Sequence, residues 1–144
     1  MQSVIGFVSS QTIRIMVHIA NIFVGKCLEQ QAEDILKNVV AQYNLSDDIS
    51  QYCRFYHFSK DETAKLTKLD VAEPHLFEET KAVKADTILS DDDQIMEYWI
   101  REYSDMVRVG TVSGNAELKL FVYVNLCEPD DCRLALNLVK PLSA

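Results

Sequence analysis

Apolar and polar residues along this chain follow two periods, and the places where the period changes mark its elements. Over residues 27–44, Leu28, Ala32, Ile35, Leu36, Val39, Val40 and Tyr43 recur at helical spacing, with Glu29, Gln30, Glu33, Asp34 and Lys37 on the opposite side. This predicts an amphipathic helix with acids early, as the helix dipole prefers. Asn44 is its expected stop, and Ser46-Asp47-Asp48 begins a turn. Residues 51–58 alternate Tyr52, Arg54, Tyr56 and Phe58 against Cys53, Phe55 and His57, the pattern of an aromatic-rich strand. A second helix is expected over 90–109, with Ser90 as N-cap, Asp93 three residues on, and an apolar stripe of Ile95, Met96, Trp99, Ile100, Tyr103, Met106 and Val107 before Gly110.

Residues 4–24 fit both periods. A helix gathers Gln11, Arg14, His18, Asn21 and Gly25 onto one polar stripe, and period is weighted here above the β-branched composition that favours a strand. A buried or dimer-forming helix ending at Gly25 is therefore expected. Arg14 and His18 near its middle argue against a membrane span. Residues 59–89 carry the weakest pattern, with a short helix over 61–69 and a loop or second short helix after Pro74. The last third reads as a hairpin, strands over 118–126 and 134–139 around Glu128-Pro129-Asp130-Asp131. Burial selects the register that puts Leu120, Val122, Val124 and Leu126 on one face with Leu134, Leu136 and Leu138, which separates Cys127 from Cys132 and argues against a disulfide between them. The expected fold is α+β: helices on one face of a small antiparallel sheet that ends in a C-terminal β-hairpin.

Composition narrows the class. The 144 residues suit one domain, 1–144, with 48% hydrophobic and 25% charged residues excluding a disordered chain. A net charge of -8 and the lack of a Lys/Arg cluster exclude nucleic acid and anionic membranes as expected partners. Four cysteines behind an N-terminus without a basic secretory leader point to a cytoplasmic, reducing compartment. The sequon Asn44-Leu45-Ser46 matters only to a secreted chain.

Catalytic and cofactor signatures are missing. Gly6, Gly25, Gly110 and Gly114 match no phosphate-binding loop. Cys53 and His57, four residues apart on a strand, stand about 13 Å apart at ~3.3 Å per residue, and Cys127 and Cys132 lack the tight knuckle spacing of zinc ligands. No metal or cofactor is expected. The Asp91-Asp92-Asp93 run has a sufficient cause in the first turn of a helix. Size and acidity favour a non-enzymatic, protein-binding module of inhibitor, immunity or chaperone type that masks a basic surface with Asp91, Asp92, Asp93, Glu97, Glu128, Asp130 and Asp131. Such binding would fall steeply with added salt. The alternative is a small-molecule-binding protein or compact enzyme with a pocket between sheet and helices, using Cys53, His57, His18 and Arg14. A homodimer through the N-terminal helix is a further expectation.

Overall fold

Ile15–Val24 (β1) is an interior strand of the sheet, next to one edge. In the computed structural model, which describes residues 15–43, 53–71, 82–110 and 115–142, β1 pairs in parallel with Cys53–Lys60 (β2) on one side and Asn115–Val124 (β5) on the other. Ala64–Val71 (β3) and Ala82–Ile88 (β4) extend the sheet antiparallel beyond β2, giving the order β4-β3-β2-β1-β5. Among the described residues three α-helices complete the fold: Glu29–Tyr43 (α1), Asp92–Gly110 (α2) and Pro129–Val139 (α3).

Alternation along β1 explains the layers. Ala20, Ile22 and Val24 point to one face and pack with Tyr56, Phe58, Leu66, the α2 residues Ile95, Tyr98 and Trp99, and the α3 residues Leu134, Ala135 and Leu138. Phe23 points to the other face, where Phe55 and Leu69 meet Ala32 and Leu36 of α1. Parallel strands need crossovers, and crossovers here cover both faces. The expected α+β fold, with helices on one face of an antiparallel sheet, is thereby corrected to a mixed sheet sandwiched between helices.

Two element assignments change with it. Residues 15–24 form a strand, because a run buried on both faces has no polar side to display. His18 and Asn21 consequently face opposite sides of the sheet, although both are buried, and the polar stripe read from helical spacing dissolves. The element through which a homodimer was expected is thus an interior strand; Arg14 and residues 4–14 lie outside the described residues. At the C-terminus the expected hairpin strand is α3. Pro129 stands at its first turn with Asp130 and Asp131 behind it, a helix-start arrangement in which proline needs no N–H and acids meet the dipole. Leu134 and Leu138 are buried one helical turn apart while Leu136 is 64% exposed. The segment expected as a short helix over 61–69 is largely β3, and Pro74 and the 46–48 turn lie outside the described residues. The helices expected over 27–44 and 90–109 and the strand over 51–58 correspond to α1, α2 and β2.

α2 is rotated from its expected stripe. Met96 and Ile100 are exposed, whereas Glu102 is buried and holds the helix to the sheet. Its carboxylate accepts from Tyr56 Oη (2.8 Å) and Tyr98 Oη (3.3 Å), and pairs with Arg54 (3.1 Å) and Lys68 (3.2 Å). Arg54 also reaches Asp105 at 2.7 Å. Two cations from the sheet thus balance two anions from the helix. The α2 start is capped one residue later than the sequence suggests: Asp91 Oδ1 accepts from the Gln94 N–H, and Gln94 Oε1 accepts from the Ser90 N–H. No described helix is long and apolar enough to cross a membrane.

Burial, with the Glu102 charge beside them, holds the hydroxyls of Tyr56 and Tyr98 in the neutral form well above the ordinary tyrosine value of 10.0. Unfolded tyrosines lose their protons first as pH rises, so this stabilisation is complete below pH ~10 and is lost above it. Each tyrosine should contribute a slope of about −1.4 kcal/mol per pH unit in that range. Urea denaturation across about pH 8 to 11 should show stability falling through the tyrosine range, with Tyr98→Phe making the fall shallower. An unchanged slope in that variant would remove Tyr98 from the account.

Candidate functional site

β1 and β5 are parallel neighbours whose chains leave the sheet towards opposite faces. β1 leads into α1 on one face, and β5 leads into α3 on the other. Splayed connections of this kind open a crevice at the carboxyl ends of the strands, the place where open α/β sheets bind ligands. An open cavity of about 590 Å3 occupies that position. Phe23, Phe55 and Tyr123 from the sheet and Leu28 and Ile35 from the α1 side form its apolar wall, with Asn21, Gln31 and Asn125 supplying carboxamides. None of the lining residues carries a charge.

The sheet register builds this wall. Phe23 lies directly across from Tyr123, and their rings stack at 4.6 Å with planes 14° apart. Tyr123 donates its hydroxyl to Asn21 Oδ1 at 3.0 Å, and Asn21 Nδ2 donates to Cys53 Sγ and the Arg54 carbonyl, both at 3.4 Å. Asn21 is therefore fully used in joining three strands, as a buried amide must be. Burial pushes the Cys53 thiol up, partly opposed by the Asn21 hydrogen bond, which keeps this sulfur protonated and poorly nucleophilic.

Gly25 turns the chain out of β1. Its N–H donates to the Phe58 carbonyl (2.8 Å), and its own carbonyl accepts from His57 Nε2 (2.6 Å) and the Leu28 N–H (3.2 Å). Since a carbonyl only accepts, His57 donates through a proton on Nε2. The backbone here has φ of +100°, and a Cβ would collide with the Asp131 carboxylate. Cys27, two residues on, directs its thiol to the same carboxylate at 3.9 Å.

The residues singled out from sequence fall in several places. Cys53 and His57 share the α1 face of β2, as alternation predicted, but His18 lies on the opposite face and Arg14 is outside the described residues. His57 lines a second, smaller cleft of about 170 Å3 together with Ser59, Lys65, Thr67, Lys84 and Asp86. Glu29 also lines it, and the other charges are engaged: Thr67 donates to Asp86 at 2.8 Å, Lys65 pairs with Asp86 at 3.6 Å, and Lys84 pairs with Glu33 at 3.2 Å. The acids divide between two helix starts. Asp91, Asp92 and Asp93, with exposed Glu97 beyond them, follow β4, while Glu128, Asp130 and Asp131 follow β5. These strands are the two opposite edges of the sheet. Among the described residues no three His, Cys, Asp or Glu side chains gather as a metal would require. Sequence reasoning missed Asn21, Tyr123 and Asn125 as neighbours, because only the β1–β5 pairing brings them together.

No protein-family model and no curated protein matches the chain. Two solved structures align with 76% of it. One is a secreted C11 cysteine protease from Bacteroides thetaiotaomicron, iotapain, at 12% identity and a TM-score of 0.43. The other is a clostripain from Bacteroides thetaiotaomicron in complex with a peptide inhibitor, at 14% identity and a TM-score of 0.41. The alignment spans 30% of the first protein and 90% of the second. Likeness at this level assigns no activity to this chain. The single masking face expected of an inhibitor, immunity or chaperone-type partner is corrected by the fold: the carboxylates that were to form it start two separate helices, behind opposite edge strands.

Replacing Gly25 should be costly, because strained φ and a collision with Asp131 coincide at one position. Gly25→Ala is expected to lower stability by about 1–3 kcal/mol, measured by urea denaturation. Asp131→Ala in the same background should recover part of that loss by removing the collision. Equal stability of Gly25→Ala and the parent would show that the turn does not depend on glycine.

Proposed function

We propose that the chain binds an extended peptide, seating an apolar side chain of that peptide in the crevice between β1 and β5 while the peptide main chain runs beside β5. The observation that carries this reading is the coincidence of an uncharged, aromatic-walled cavity with the switch point of the sheet. A Leu- or Phe-sized side chain would gain about 1.5–3 kcal/mol from burial there, and the cavity is in the size range of ligand sites.

The edge supports the same reading. β5 is an edge strand in the described sheet, and Phe121 and Tyr123 on its α1 face remain 44% and 41% exposed. Both edges carry charges of the kind that discourage strand addition, Lys84 and Asp86 on β4 and Glu117 and Lys119 on β5, but those of β5 lie in its first half, leaving Phe121 to Val124 uncharged beside the crevice. A peptide added beside β5 would find backbone hydrogen bonds from the edge and an apolar socket at its carboxyl end, which is how strand-addition sites combine affinity with specificity. Asn125 already spends Oδ1 on the Cys127 N–H (2.9 Å), so its contribution to a ligand is a donor, Nδ2. Recognition of this kind depends on shape and apolar burial rather than on the masking of a basic surface. The four free thiols support a cytoplasmic, reducing compartment for it.

Fluorescence anisotropy with a labelled peptide library is the test. Peptides carrying Leu or Phe should bind, with affinity that changes little as salt is raised, because no charge lines the socket. Tyr123→Ala should weaken binding by roughly tenfold to a hundredfold, and Tyr123→Phe, which keeps the ring, by much less. Selection of charged peptides, or salt-sensitive binding indifferent to Tyr123→Ala, would overturn the assignment.

A further inference from the structure

Two cysteines flank the start of α3, just after Asn125 of the crevice wall. α3 has Glu128 as its N-cap and Pro129 in its first turn, so Cys127 precedes the cap and Cys132 is the fourth helical residue. These are the N′ and N4 positions of the helix start, the pair whose side chains meet in a hydrophobic staple. A hairpin would have set the same residues on different faces; the helix reverses that relation.

Hydrogen bonds tie both cysteines to one residue. The Asn125 carbonyl accepts from the Glu128 N–H at 3.0 Å and from the Cys132 thiol at 3.7 Å, while Asn125 Oδ1 accepts from the Cys127 N–H. The 125–128 turn is thus folded back onto the first turn of α3, with Cys127 exposed and Cys132 half-buried behind it. Asn125 is also part of the crevice wall.

We propose that Cys127 and Cys132 are a thiol–disulfide modification site, closed by a peroxide. The exposed Cys127 sulfur attacks the peroxide oxygen and becomes a sulfenic acid, with one water leaving. The Cys132 sulfur then attacks the Cys127 sulfur, forming the S–S bond and releasing a second water. Two thiol hydrogens and two electrons are passed to hydrogen peroxide, which is reduced to two waters. The bond removes the S–H that Cys132 donates to Asn125 and draws the turn against α3, changing the crevice rim. That last consequence rests on the peptide-binding reading; the disulfide itself does not.

Treatment of the folded, full-length protein with hydrogen peroxide, followed by alkylation and non-reducing peptide mapping, tests the proposal. The expected result is a Cys127–Cys132 link, loss of both alkylatable thiols, and their return with dithiothreitol. Cys27→Ser should still form the link, and Cys127→Ser and Cys132→Ser should not. Both thiols remaining free after peroxide, or Cys27 crosslinking in preference to either, overturns it. Peptide anisotropy on the reduced and oxidised forms separates the two readings. Weaker binding after oxidation supports the effect on the rim, and unchanged binding with the link in place overturns that effect alone. A link without peptide binding in either form removes the peptide reading and leaves the modification site standing.

Discussion

The parallel pairing of β1 with both of its neighbours is the constraint from which the rest of this structure follows. Parallel strands cannot be joined by tight turns, so the chain must cross the sheet to return. With α1 used on one face between β1 and β2, the connection through α2 and the helix α3 that follows β5 occupy the other. β1 becomes buried on both sides, and any polar side chain within it must find partners inside the protein. Asn21 does so by bridging to Cys53, Arg54 and Tyr123, which fixes the wall of the crevice as a by-product of satisfying one buried amide.

A second interaction decides how the helical layer sits. Glu102 draws the Tyr98 face of α2 inward against the Met96 and Ile100 face that hydrophobicity alone would bury. Removing charges from water is expensive, and a buried pair contributes little net stability compared with apolar packing. The ion cluster is better understood as fixing rotation: Arg54, Lys68, Tyr56 and Tyr98 converge on one carboxylate, and only one helix orientation satisfies all four. Breaking the cluster from one side would leave an unpaired charge in the core, which is where its structural weight lies.

Legibility in the sequence followed exposure. α1 and α2 each have a solvent face, so their polar positions betrayed the helical period, and β2 showed its alternation through aromatics. β1 was misread because a strand buried on both faces has no polar side to mark its alternation, and the spacing of His18 and Asn21 also fits a helix. In α3 the alternation of Leu134, Leu136 and Leu138 imitated a strand, although Pro129 followed by two acids was the available sign of a helix start. The pocket expected between sheet and helices included Cys53 and His57, and the structure does place both on the α1 face. Its main walls were illegible, because Phe23 lies far along the chain from Tyr123 and Asn125 and meets them only through the register of two parallel strands.

Acidity, the most conspicuous property of the composition, therefore has a local explanation. Glu29 begins α1, Asp92 and Asp93 begin α2, and Asp130 and Asp131 begin α3, where each carboxylate meets the positive end of a helix dipole. All three helices start where the parallel strands end, at their carboxyl edge, and none of these acids lines the crevice. The field they create bears on how charged molecules approach that edge. The crevice wall itself, Phe23, Tyr123 and the carboxamides, is neutral. Net charge and the chemistry of the crevice are thus separable in this protein, because the acids answer to helix starts and the wall answers to the register of β1 and β5.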